Sequence, residues 1–189
     1  ILDEKLKTIQ PKLVCISVPF PGNLYSGFRC AQFIKKNYPE ITVSMGGGFP
    51  NTELRSLSDV RVFEFFDFIT LDDGELPVEM LWNYVKNPSE ENNNFKRTFL
   101  KENNKVVYNN LTTKSDYKQS ELGTPDYTDL LLDTYLSVIE IANPMHSLWS
   151  DGRWNKLTMA HGCYWAKCTF CDISLDYIKI YEPITAKLL

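Results

Sequence analysis

Across 189 residues the chain carries 43% hydrophobic and 23% charged side chains, enough apolar material for a core without disulfide staples. Its formal net charge of −4 argues against a nucleic-acid partner, which would need a basic face. The charged opening ILDEKLKTIQ has no signal-peptide character, and the most apolar stretch, LLLDTYLSVIEIA, is broken by Asp133 and Glu140, well short of the ~18 residues of a membrane span. With an odd count of five cysteines, these features predict a cytoplasmic protein with reduced thiols and no membrane association. The length suits one domain, or one domain and part of a second.

Residues 1–9 place Ile1, Leu2, Leu6 and Ile9 at the spacing of an amphipathic helix. KLVCISV (12–18) is an almost unbroken apolar run, as a strand buried on both faces would be. The loop PFPGN follows, and then Leu24, Phe28, Ala31, Ile34 and Tyr38 mark a helix ended by Pro39. ITVSMGGG (41–48) reads as a second buried strand and FEFFDFITL (63–71) as a third. In DDGELPVEMLWNYVK, Asp72 and Asp73 stand where a helix N-cap belongs, ahead of an apolar stripe of Leu76, Met80, Leu81, Tyr84 and Val85. Strand and helix alternating in this way predict an α/β fold, a parallel sheet of right-handed βαβ units. A ligand crevice is then expected beyond the carboxyl ends of the strands, at SVPFPGN, GGGFPN and LDDGE. Gly46, Gly47 and Gly48 allow either close approach of a ligand or a tight turn, and the spacing does not match GxGxxG.

Residues 87–94 are polar and read as a linker, and FKRTFLKENNKVVYNN reads as a β-hairpin turning at ENNK. Asp126, Asp129 and Asp133 are expected to be turn and cap residues, and His146 to be structural. KLTMA (156–160) is strand-like and leads into HGCYWAKCTFCD, where Cys163, Cys168 and Cys171 fall within nine positions. A disulfide would leave one thiol over. Zinc wants four closed ligands, and His161, two residues before Cys163, is an awkward fourth. A [4Fe-4S] cluster on three thiolates leaves one iron open. Spacing alone leaves zinc and cluster both standing. Cys15 and Cys30 are expected to be core residues.

GCYWAKCTFCD resembles the cluster loop of radical S-adenosylmethionine enzymes, with Phe170 in the aromatic position before the last cysteine. Here four residues rather than the usual three separate the first two cysteines. LVCISVPF, VSMGGGFP and FDFITLDDGE resemble, in that order, the cobalamin-binding domain that precedes the barrel in one large subclass. The resemblance implies a flavodoxin- or Rossmann-like cobalamin-type domain over residues 1–87 and a connecting segment with a hairpin over 88–155. Residues 156–189 would then be the first strand, cluster loop and first helix of a TIM-like barrel. The chain would begin near the second helix of the first domain and stop early in the barrel, a fragment unable to turn over alone.

The resemblance further implies that Cys163, Cys168 and Cys171 bind three irons of a [4Fe-4S] cluster and that S-adenosylmethionine chelates the fourth, with Phe170 near its adenine. One electron would then release a 5′-deoxyadenosyl radical that takes a hydrogen from substrate. Ser17, Val18 and Pro19, with Gly46, Gly47 and Gly48, would line the nucleotide tail of a bound cobalamin, and Glu75 matches the Gly-Glu element that opens the last helix. The Asp-x-His-x-x-Gly motif of some cobalamin proteins is not seen. Methyl transfer is one use of the cobalamin, a flavodoxin or ferredoxin would donate electrons, and the small-molecule or peptide substrate is not legible. The rival expectations are a zinc- or ligand-binding module with a flavodoxin-like domain, and a corrin-type fold serving as a structural platform.

Overall fold

The computed structural model of the protein describes residues 1–89, 93–124, 126, 128 and 158–186. They belong to two compact units, Ile1–Asp116 and Tyr117–Leu189. Asp129, Asp133 and His146 lie outside the described residues.

The first unit is an α/β sheet of five strands. Helix α1 (Leu2–Ile9) buries Leu6 and ends at Gln10, whose left-handed backbone (φ 50°) lets its N–H reach the Leu6 carbonyl. Strands β1 (Leu13–Ser17), β2 (Thr42–Gly46) and β3 (Phe68–Thr70) run parallel in that order. Strands β4 (Thr98–Glu102) and β5 (Lys105–Asn109) form the hairpin expected around ENNK, turning at Asn103 and Asn104, both at positive φ. The hairpin extends the sheet antiparallel to β3, so it belongs with the first unit and not with a separate connecting segment.

Helix α2 (Pro21–Asn37) links β1 to β2; the proline sits in its first turn, where its missing N–H costs nothing. Ala31 and Ile34 of α2, Val43 and Met45 of β2, and Ile69 of β3 are all fully buried on one sheet face. Full burial contributes about 1.5–3 kcal/mol for each of Ile34, Val43, Met45 and Ile69 and less for Ala31. Helix α4 (Glu75–Lys86) supports a second, smaller core in which Leu81 and Phe68 meet Phe95, with Tyr84 packed edge-on to both rings.

Three expectations are corrected. The run 63–71 is not one strand: Val60–Glu64 is a 3-10 turn that places Val62 and Phe63 in the core, and extended structure begins only at Phe68. Asp67 explains the break, because its carboxylate accepts the Val43 N–H (2.7 Å) and pairs with Lys35 across two other elements. Strand β1 is not buried on both faces. It is the sheet's outer strand, so Cys15 is exposed and Cys30, on α2, only half-buried. Neither thiol is a core residue. Finally, α4 is capped by Gly74 with no side-chain hydrogen bond, because Asp72 turns at φ 60° into other partners.

The second unit contains a two-stranded antiparallel ribbon, β6 (Ala160–Gly162) with β7 (Tyr181–Pro183), and the short helix α5 (Asp176–Lys179) between them. The resemblance implies the first strand, cluster loop and first helix of a barrel over 156–189. Among the described residues, β6 instead pairs with the chain that returns from the cysteine loop.

Candidate functional site

In the first unit the carboxyl ends of β1 and β2 come together. Gly46 ends β2, Gly47 precedes helix α3 (Gly48–Glu53) and Gly48 opens it. Gly47 has φ 100° and ψ −172°, a backbone region open only to glycine. A Cβ at Gly47 would lie 2.9 Å from Ser17 Oγ and from both the N and O of Val18; one at Gly48 would lie 2.7 Å from the Pro19 carbonyl. A Cβ at Gly46 would lie 2.9 Å from Thr70 Oγ1. The triad therefore has an internal reason: Gly46 makes room for Thr70, and Gly47 and Gly48 let the chain after β2 close against residues 17–19, a closure completed by Val18 N–H to Gly46 O (2.8 Å) and Phe49 N–H to Val18 O (2.9 Å).

Of the residues named from the sequence, Ser17, Pro19 and Gly48 are exposed along this edge, and Gly46 and Gly47 are half-buried. Val18 is fully buried, so its side chain serves the core and only its backbone reaches the loop. Glu75 is exposed at the first position of α4, where a carboxylate suits the helix dipole.

Beside this edge lies a polar network that spacing did not reveal. Arg97, only 5% exposed, forms a two-pronged pair with Asp116, both N–O distances being 2.7 Å. It also donates to the carbonyls of Leu71 (3.3 Å) and Asp73 (3.1 Å). Asp72 stands 3.7 Å from the Arg97 Nε and pairs with Arg55, while its N–H donates to Asn51 Oδ1 (2.6 Å). Asn51 lies in α3, so the network ties the helix that opens at the glycine triad to the turn before α4 and to the segment ending at Asp116. No local motif marks Arg97, because its partners are 19 to 26 positions away.

In the second unit Cys163, Cys168 and Cys171 line one cavity of about 300 Å³, together with His161, Gly162, Ala166 and Tyr177. The loop is held by short-range bonds: Cys163 N–H to Ile178 O (3.3 Å), Cys171 N–H to Cys168 O (3.4 Å) and Ala166 N–H to the Cys163 sulfur (3.4 Å). The Cys171 thiol is pushed up, first by desolvation and then by the Cys168 and Cys163 sulfurs beside it. Among the described residues no group of three histidine, cysteine or carboxylate side chains is placed to hold a metal ion. The three thiols share the wall of this one cavity. Phe170 is 88% exposed, and Tyr164 and Trp165 are exposed with it.

Gly162 sets the loop's start. Its φ is 78°, and a Cβ there would overlap the Ile180 carbonyl oxygen and sit 3.2 Å from that of Tyr177. Gly162→Ala is therefore expected to force β6 from β7 and to speed labelling of the Cys163 thiol by a maleimide, with Cys30 labelled as in wild type. Wild-type labelling of Cys163 in this variant would show that the ribbon does not set the thiols.

No protein-family model matches the chain, and no curated protein matches it.

Among the described residues no helix is long and apolar enough to cross a membrane.

Proposed function

We propose that the chain carries the cofactor-binding parts of a radical S-adenosylmethionine enzyme of the cobalamin-binding subclass. The observation that carries this reading is the placement of Cys163, Cys168 and Cys171 around one cavity, with His161 also on its wall. A [4Fe-4S] cluster held by these thiolates would supply one electron, received from the donor protein, for cleavage of the S-adenosylmethionine sulfonium into methionine and a 5′-deoxyadenosyl radical. The chain's own part is to hold three thiolates and to leave the fourth corner free of protein. Exposed Phe170 offers a ring face for the adenine. Supporting the cobalamin assignment are the parallel order of β1, β2 and β3 and the contiguous edge made by Ser17–Pro19 and Gly46–Gly48. The compartment is cytoplasmic in this reading, since three close thiols stay unpaired only where it is reducing. A flavodoxin or ferredoxin would be the electron donor, and methyl transfer one outcome for the substrate.

Anaerobic reconstitution with iron and sulfide tests the reading. We expect a broad visible charge-transfer band, about four irons per chain, and a reduced cluster whose electron paramagnetic signal changes when S-adenosylmethionine is added. Cys163→Ser, Cys168→Ser and Cys171→Ser should each abolish the band, whereas Cys30→Ser should leave it intact. Stoichiometric zinc without such a band would sink the proposal and favour the zinc-binding module.

One observation favours a second reading for the first unit alone. Packing against residues 17–19 already accounts for Gly47 and Gly48, and Thr70 accounts for Gly46, so the edge can be a structural platform without a ligand. Co-elution of hydroxocobalamin with the protein on gel filtration separates the two: retention supports the cobalamin assignment and its absence the platform.

A further inference from the structure

Two of the three loop thiols stand closer to each other than to the third. Cys171 N–H donates to Cys168 O (3.4 Å), which closes a four-residue turn through Thr169 and Phe170. The first and last Cα atoms of such a turn lie within about 7 Å, and a disulfide spans about 4.4–6.8 Å. Electrostatics single out the same pair. The Cys171 thiol is raised first by desolvation; Cys168 then acts on it by charge and by a side-chain hydrogen bond, and Cys163 by charge alone. Cys163 is engaged elsewhere: its sulfur accepts the Ala166 N–H (3.4 Å) and its own N–H donates to Ile178 O (3.3 Å). Access is graded as well, Cys171 being exposed and Cys168 half-buried. Thr169 and Phe170 are both exposed, so drawing the two sulfurs together displaces neither from a core.

We propose that Cys168 and Cys171 form a reversible dithiol–disulfide pair in the metal-free chain, with a small disulfide such as glutathione disulfide as the oxidant. The exposed Cys171 sulfur attacks the glutathione disulfide, releases one glutathione thiol and keeps the other half as a mixed disulfide. Cys168 then attacks the Cys171 sulfur and releases the second glutathione. One protein S–S bond forms as one glutathione S–S bond breaks. The two cysteines lose two electrons and two protons, and the two glutathione thiols carry them. Iron and zinc bind the thiolate, so closure withdraws two of the loop's three candidate ligands and leaves Cys163. Excess reduced thiol reopens the pair, so a reducing compartment keeps the loop ready to load and an oxidising episode shuts it. The pairing does not depend on which metal group the loop takes.

Mass spectrometry reads the pairing directly. The full metal-free chain is equilibrated without oxygen in mixtures of reduced and oxidised glutathione, quenched in acid, alkylated and digested with trypsin. Cleavage after Lys167 and Lys179 puts Cys168 and Cys171 in one peptide and Cys163 in another. We expect the 168–179 peptide to lose both alkyl labels and two hydrogens as the oxidised share rises, with Cys163 still labelled, and dithiothreitol to restore both labels. Cys163→Ser should close at the same glutathione ratio as wild type. In Cys171→Ser, which removes the near partner, Cys163 should link to Cys168 only at an oxidised share about tenfold higher. A 168–179 peptide that stays labelled or merely glutathionylated at every ratio overturns the proposal. So does a wild-type chain in which Cys163 links to Cys168 or Cys171 as readily as those two link to each other, or a Cys163→Ser chain that no longer closes. No metal is added, so this result is separate from the visible band that tests the cofactor reading.

Discussion

Gly47→Ala is expected to destabilise the first unit by about 2–6 kcal/mol, adding backbone strain of ~1–3 to overpacking of a similar size. The strain arises because φ 100° with ψ −172° is a conformation that L residues avoid. The overpacking arises because the new methyl would meet the N and O of Val18 at 2.9 Å, and backbone atoms cannot rotate away. Val18 is fully buried, so its backbone cannot retreat without opening the core around Ala31 and Met45. Urea denaturation followed by tryptophan fluorescence measures the loss. Gly22→Ala is the control: a Cβ there meets nothing within 4 Å, and its position in α2 makes alanine neutral or mildly stabilising. A Gly47→Ala midpoint equal to wild type would mean that residues 17–19 and 46–48 do not close as described, and the candidate edge would lose its shape.

The second large effect is expected at Asp116. Asp116→Ala removes the two-pronged partner of a guanidinium that is almost fully buried, and breaking such a pair costs about 3–5 kcal/mol. We expect the lower end, near 3 kcal/mol, because Asp116 is itself 29% exposed and Asp72 remains 3.7 Å from Arg97. The double replacement Arg97→Met with Asp116→Leu should recover part of the loss, since an apolar pair leaves no uncompensated charge. The loss should also depend on pH. Burial alone would raise the Asp116 carboxyl, but the Arg97 hydrogen bonds and charge, with help from Lys96, outweigh it and hold the group below its ordinary 3.8. A carboxylate lowered in the folded state contributes fully above that ordinary value and loses its contribution as the pH falls through the folded one. The stability gap between wild type and Asp116→Ala should therefore narrow in acid, measured by urea titration at neutral pH and again at about pH 3. A gap that stays constant would mean that the carboxylate's charge is not what stabilises the turn.

Both effects bear on the candidate edge through the same chain of contacts. Gly47 shapes the loop from below, and the Arg97 network holds the far end of α3 through Asp72 and Asn51. A variant weakened at Asp116 is accordingly expected to lose order first at α3 and the turn before α4. Those are the elements whose ends meet at the edge.

Sequence by itself determined the βαβ order, the hairpin and the grouping of the three cysteines. Each of these is a local pattern: apolar periodicity in α2, an almost unbroken apolar run at β1, two asparagines at the turn of β4 and β5, and thiols a few residues apart. Only the tertiary structure decided the rest, because it depends on neighbours distant in the chain. LVCIS reads as a central strand but is an outer one, since an apolar run reports hydrophobicity and not the number of flanking strands. FEFFDFITL reads as one strand but divides, since Asp67 is drawn out of it by Val43 and Lys35. Asp72 reads as a helix cap but is claimed by Arg55 and Asn51. The glycine triad could have served a ligand or a turn by composition alone, and Thr70, the backbone of Val18 and the carbonyl of Pro19 gave Gly46, Gly47 and Gly48 in turn a packing role that no spacing rule contains.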